Sequence, residues 1–168
     1  MNHWDRRWIE LARHYAGWSK DPSTAVGCVI ALGKKQLGQG FNGFPPGIAD
    51  NDQRLQDRDT RLALTIHAEI NALACLSPGQ GVGATIYVWP MPPCAHCAAR
   101  IIQVGITRVV AAEPQPEQAE RWHQSLMLSA EVLHEAGVSL ETAPNMQPAA
   151  PKSPVQPFRP ATSTNAHV

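Results

Sequence analysis

Hydrophobic positions along the chain switch repeatedly between a helical and an extended period. Trp4, Trp8, Leu11, Ala12 and Tyr15 recur at three- and four-residue intervals, which predicts a helix over 3–16 that stops at Gly17. Residues 25–32 form an apolar, partly β-branched run, as a buried strand requires. A turn at 33–35 leads into a second strand over 36–41. From Asn42 to about Thr60 the pattern gives way to a polar connecting stretch, with Gly43, Pro45, Pro46 and Gly47 followed by many Asp and Arg residues. Helical character returns over 62–75. The rest of the body alternates: a strand over 84–89, a helix over 95–104 ending at Gly105, and a strand over 107–112. A long helix over 116–136 and a short strand over 138–142 complete it. Elements alternating in this way imply an α/β domain with helices layered on a sheet. Beyond Ala143, prolines at 144, 148, 151, 154, 157 and 160 are separated by small and polar residues. The chain therefore divides into a domain over 1–143 and a proline-rich tail over 144–168, read as disordered or extended.

Composition narrows the class. With 43% hydrophobic and 17% charged residues in 168, the chain has the balance of one folded domain rather than a disordered polymer. Fourteen basic residues offset fourteen acidic ones, so the net charge gives no reason to expect a nucleic-acid-binding surface. No apolar run approaches the roughly 20 residues of a membrane-spanning helix. The segment 1–8 is charged and aromatic, unlike a secretory signal. Cysteines stand at 28, 75, 94 and 97, and the last two are too close together to suggest a disulfide framework. A cytoplasmic protein with a metal site fits this usage. Cys28, in a strand, and Cys75, late in a helix, are read as core thiols.

Two short segments carry the chemistry: His67-Ala68-Glu69 and Pro93-Cys94-Ala95-His96-Cys97. One imidazole and two thiolates are good ligands for zinc, and three protein ligands leave its fourth position open, as at a catalytic rather than a structural site. Zinc makes a water at that position far more acidic, and Glu69 stands ready to move protons. Cys94 and Cys97, three residues apart, can face one point from the first turn of a helix, whose dipole favours thiolates. His67 and Glu69 would diverge by about 200° on a regular helix, so both serve one site only from a helix start. The zinc then lies between two helix N-termini, with His96 turned away. Cys-x-x-Cys alone also suits a redox pair, but His-x-Glu followed by Pro-Cys-x-x-Cys matches the signature of zinc nucleobase deaminases.

The resemblance extends beyond the signature. Residues 18–30, Gly40-Phe41-Asn42-Gly43-Phe44-Pro45, His67-Ala68-Glu69-Ile70-Asn71-Ala72, Pro93-Cys94 and the stretch reaching Gly105-Ile106 are similar to the deoxycytidylate deaminases. That resemblance implies the cytidine deaminase-like fold: a three-layer α-β-α sandwich around a mixed five-stranded sheet. It implies a catalytic Zn2+ held by His67, Cys94 and Cys97, with Glu69 as the catalytic acid and base. The backbone near Ala68 would hold the pyrimidine and Asn42 would bond the sugar. Asn71 is similar to this branch in particular, or is simply a helix-packing amide. Relatives brace their sites with neighbouring subunits, which implies a homo-oligomer. They also carry Arg where Trp18 stands, associated with the substrate phosphate, and often Arg where Pro46 stands. Other residues must therefore meet a phosphate here: Lys20, Arg54, Arg58, Arg61 and Arg121 are candidates, with Lys20, Arg61 and Arg121 preferred. Trp18 itself is read as packing in the core rather than stacking on a base. Cys and His residues for a second zinc are absent from 43–66.

The expected reaction is hydrolytic deamination of dCMP to dUMP with release of ammonia, the partner being a free nucleotide rather than a membrane or a nucleic acid. Other cytosine-type nucleosides, modified nucleotides, or a tRNA adenosine are the competing substrates. The last needs a basic RNA surface that the balanced charge does not provide. A non-catalytic zinc scaffold is the competing class, and Glu69 argues against it, because a structural zinc needs no proton shuttle.

Overall fold

The computed structural model describes residues 1–144; the proline-rich tail reading falls, beyond Pro144, outside the described residues. Cys28 and Ile30 face one side of strand β1 (Gly27–Leu32), and Val29 and Ala31 face the other; all four are buried. A strand buried on both faces must sit at the centre of a sheet covered twice. That is the arrangement found. β2 (Lys35–Phe41), β3 (Thr85–Trp89), β4 (Arg108–Ala112) and β5 (Ser139–Ala143) join β1 in the order β2-β1-β3-β4-β5. β1 runs antiparallel to β2 and β3, whereas β3, β4 and β5 are mutually parallel, so the sheet is mixed and five-stranded as expected.

Helix α1 (His3–Ala16) covers one face, placing Trp8, Ile9 and Ala12 on Val29, Ala31, Tyr87 and Val110. The other face carries three helices. These are α4 (Ala68–Leu73) over β1 and β2, and α5 (Ala95–Gln103) packed beside α6 (Pro116–Glu135), which reaches β5. Ala68, Ala72, Ala98, Ile101 and Leu133 bury themselves on Cys28, Ile30, Ile86, Val88, Val109 and Ala111. This is the three-layer sandwich. α5 and α6 are the crossovers that parallel strands require.

Two glycines bring α4 close to the sheet. A Cβ on Gly38 would lie 2.5 Å from the Ala72 carbonyl oxygen, and one on Gly40 would lie 2.4 Å from that of Ala68. Any side chain there would push away the helix that begins at His67.

α1 is pinned as well as packed. Asn2 caps it, accepting from the Trp4 and Asp5 amides, while Asp5 returns a bond to the Asn2 amide. The same Asp5 carboxylate, fully buried, accepts from Tyr87 Oη at 3.0 Å and from Arg108 at 2.8 and 3.0 Å. Arg108 also holds Glu141 on the neighbouring strand. The Arg108 hydrogen bonds outweigh burial and hold the Asp5 carboxyl down at about 2. Removing one partner of a buried pair typically costs about 3–5 kcal/mol, so Asp5→Asn is expected to lower unfolding stability by roughly 3 kcal/mol in a urea titration. A depressed carboxyl stabilises the fold above its unfolded value and ceases to do so as pH falls towards the folded one. The parent should therefore lose stability between about pH 4 and pH 2, and the Asn variant should lack that component.

The connection from β2 to α4 departs from the sequence reading. The polar stretch is not wholly loop, because it holds two short helices, α2 (Asp52–Gln56) and α3 (Arg58–Leu64), capped by Asn51 and Asp57. Nor is 62–75 a single helix. Ile66 pairs with Gly43 through two backbone hydrogen bonds of 2.8 and 3.1 Å, which holds the chain extended between α3 and α4. A tertiary strand-like contact here overrides local helical preference. Since α4 ends at Leu73, Cys75 falls in the following turn and is exposed, correcting its reading as a core thiol.

Candidate active site

His67 and Cys94 occupy equivalent places in the fold: each is the N-cap of a helix, with extended backbone and no capping bond from its side chain. Cys97 lies in the first turn of α5, and so does Glu69 in α4. The Gly43–Ile66 bridge sets Asn42 and His67 side by side, and Asn71 fastens α4 to the end of β2 through its amide, 2.8 Å from the Phe41 carbonyl. The Asn71 side chain therefore has a packing role in this structure.

The ligand atoms of His67, Cys94 and Cys97 all lie within 4.8 Å of one another. His67 Nδ1 is 3.5 Å from Cys94 Sγ and 3.4 Å from Cys97 Sγ. Tetrahedral zinc with bonds of about 2.0 Å to nitrogen and 2.3 Å to sulfur sets those atoms about 3.5 Å apart. The donor set and its spacing both fit the metal, and Nδ1 is the imidazole atom that faces it. The Cys97 thiol and then His67 favour the Cys94 thiolate, lowering its pKa to about 4, while the same pairing and burial push Cys97 up. His96 is exposed on α5, turned away as expected.

Glu69 is buried at 3% exposure, and its desolvation raises the carboxyl above the ordinary range, opposed by the nearby His67 charge. It opens onto a cleft of about 600 Å³ whose walls also include His67, Ala68, Cys94 and Asn42. The cleft is mixed in character. Met91, Pro92, Trp122 and Leu126 make an apolar side, and Asp21, Ser23, Thr24, Arg58, Arg61 and Arg121 a polar one. An apolar wall with a few convergent polar groups suits a small planar ligand carrying polar substituents.

Asn42 is held rather than free. Its Oδ1 accepts from the Val26 amide at 2.8 Å, and its Nδ2 donates to the Thr24 carbonyl at 2.9 Å. One of its two N–H donors remains for a ligand. The candidate cations separate into two groups. Arg61 lines the cleft but is buried, donating to Leu55 O and to Ser23 Oγ at 3.0 Å, with Asp21 at 3.9 Å. It clamps α3 to the 19–24 loop. Lys20 lies outside the cleft, paired with Asp50 at 2.9 Å, and Arg54 is spent on the Ala49 carbonyl. Lys20 is drawn onto Asp50 of the polar stretch and Arg54 onto that stretch's own backbone, so neither lines the cleft. Arg58 and Arg121 are the exposed arginines on the cleft wall.

Trp18 departs from its reading as a core residue. It is 54% exposed, stands edge-on to Tyr15 and Phe41, and does not line the cleft. Trp122, which the sequence reading did not single out, lines the cleft with its ring at 84° to that of His67 and 6.5 Å away. Its signal was hidden because one Trp on a long amphipathic helix reads as core.

The model of the cytidine and deoxycytidylate deaminase zinc-binding region matches residues 2–113. A protein of Aliivibrio fischeri, named an uncharacterized deaminase in the luxG 3' region, is 35% identical over 144 residues, covering 86% of this chain and 96% of that one. The deoxycytidylate deaminase of Mus musculus is 34% identical over 116 residues, covering 64% of this chain but only 63% of its own length. Among solved structures, the dCMP deaminase of cyanophage S-TIM5 in complex with dCMP and dUMP superposes with a TM-score of 0.68 over 85% of this chain and 99% of its own. At 22% identity that likeness establishes the fold.

Proposed function

The chain belongs to the cytidine and deoxycytidylate deaminase family, and on that premise we propose that it hydrolyses dCMP to dUMP and ammonia. The observation that carries the reading is the placing of buried Glu69 beside the His67, Cys94 and Cys97 cluster, on the floor of a cleft. Zinc, which His67, Cys94 and Cys97 would hold, would supply Lewis acidity that makes a water a nucleophile near neutral pH. Glu69 accepts the proton of the attacking water and delivers it to N3 of the ring. It then takes the remaining proton from the new C4 hydroxyl and passes it to the amino group, so the C4–N bond breaks, ammonia leaves, and the ring departs as uracil with a C4 carbonyl. Walls of Met91, Pro92 and Trp122 exclude bulk water. The backbone at Ala68 holds the base, and the remaining Asn42 N–H meets a sugar hydroxyl.

The nucleotide, rather than the nucleoside, is the favoured substrate because Arg58 and Arg121 stand on the cleft wall, where planar guanidinium groups suit phosphate. Lys20 and Arg61 are not assigned to it, since each is engaged by the protein. Arg121→Ala is expected to reduce kcat/KM for dCMP by about tenfold or more while leaving deoxycytidine unchanged, since a hydrogen bond to a charged group contributes roughly 1.5–3 kcal/mol. Steady-state kinetics on a panel of dCMP, CMP, deoxycytidine and cytosine, read by ammonia release, test the assignment. Equal or better kcat/KM for the nucleoside excludes a productive phosphate site.

The working unit we propose is residues 1–143, acting in the cytoplasm on a free nucleotide; the free cysteines and balanced charge support this. Among the described residues no helix is long and apolar enough to cross a membrane. A homo-oligomer is favoured by the apolar groups left uncovered, including Leu62 at 53% and Met127 at 60% exposure, on α3 and α6. Light scattering at micromolar concentration is expected to show a multiple of the chain mass, and a monomer overturns this.

A further inference from the structure

Both cysteines of the cluster sit in the first turn of α5, Cys94 as its N-cap and Cys97 three residues on. A first turn has unpaired backbone N–H groups, and the N-cap side chain ordinarily accepts from one of them. The Cys94 side chain makes no capping bond of ordinary hydrogen-bond geometry, and a cap at N2 or N3 would still leave the first amide, that of Ala95, without an acceptor. The Ala95 amide therefore needs an acceptor from elsewhere, at the helix end that carries both ligands.

Another helix supplies the missing acceptor. Ser125, on α6, places its Oγ 3.1 Å from the Ala95 amide, the first N–H of α5. One turn earlier on the same face of α6, Trp122 stands edge-on to His67. α6 thus touches both halves of the ligand set, one through a hydrogen bond and one through a ring. We propose that Ser125 is a positioning residue for the zinc site, capping from outside the first amide of α5, which the N-cap side chain does not serve, and so fixing Cys94 and Cys97 in the geometry that retains the metal. The proposal rests on the zinc reading above. Partners that orient metal ligands without touching the metal typically change its affinity 10–100-fold.

The test is zinc release from the full chain to an excess chelator, for the parent, Ser125→Ala, Ser125→Val and Ser125→Thr. Alongside it, thermal unfolding is followed with and without zinc. Thr keeps the hydroxyl and Val, of the same shape, does not, so the pair remains informative even where Ala fails to fold. Ser129→Ala is the comparator, because the Ser129 hydroxyl is buried one turn further along α6 and has no hydrogen-bond partner. The expected result is release about 10–100 times faster from the Ala and Val variants, parent-like release from Thr and from Ser129→Ala, and little change in the unfolding of the zinc-free proteins. Parent-like retention by Ala and Val overturns the proposal, as does a Thr variant as leaky as Val. Equal destabilisation with and without zinc also overturns it, since Ser125 would then merely pin one helix to another. A parent that takes up no zinc overturns the metal reading itself, and this proposal with it.

Discussion

Glu69→Gln is expected to fold, to bind zinc like the parent, and to lose kcat by about 10⁴-fold, the upper end of what one positioned acid–base group contributes. The amide matches the carboxylate in size, so the buried pocket it fills is unchanged. It can neither accept the water proton nor return one to the ring nitrogen and the leaving amine. Because the same side chain serves successive transfers, the loss should exceed that for a group used once. Removing a carboxylate that burial already disfavours should leave stability equal or slightly higher. Single-turnover ammonia release, paired with metal analysis, checks both parts. An enzyme that retains a tenth of parental kcat assigns the proton shuttle elsewhere, and one that loses zinc places Glu69 among the metal's supports.

Cys97→Ala is expected to reduce bound zinc from about one per chain to a trace, with activity falling in proportion to the metal and not returning on modest zinc addition. Three protein ligands are the minimum for a catalytic site, and two leave the ion exchangeable. Cys97 is the more severe choice because it is buried at 1% exposure, inside the turn that also carries Cys94. His67→Ala should lose zinc as well, yet without a cavity of comparable depth, since His67 is only partly buried. Elemental analysis after gel filtration in chelator reads the outcome, and full occupancy in Cys97→Ala would remove it from the ligand set. In apo protein the cluster is a thiolate and a thiol beside an imidazole, so metal-free samples should be prepared under reducing conditions.

The layered α/β architecture and the placing of the two motifs at helix starts were legible in the chain itself. Periodicity and turn residues located α1, α5 and α6 and the five strands to within a residue or two, most plainly where α1, α5, β1, β3 and β4 each bury an apolar stripe. The His67–Glu69 spacing forced a helix start for a geometric reason: side chains two apart cannot share a helix face. Local signals ended where contacts distant in sequence decide the backbone. The break between α3 and α4 depends on Gly43 pairing with Ile66, and the close seating of α4 on Gly38 and Gly40 is visible only once β2 lies beside it. The cations followed the same rule. The sequence offered five basic candidates, with Lys20, Arg61 and Arg121 preferred, and only the fold decided which are engaged by the protein, as Lys20 and Arg61 are, and which face the cleft, as Arg58 and Arg121 do. Trp122 and Ser125 are the plainest case, since they act on His67 and Ala95 from a helix that follows later in the chain. Sequence determined which groups can hold the metal and move the proton, because that depends on residue chemistry and short spacing. Tertiary structure alone determined what surrounds and steadies them, because a hydrogen bond or ring contact between separate helices has no period along the chain.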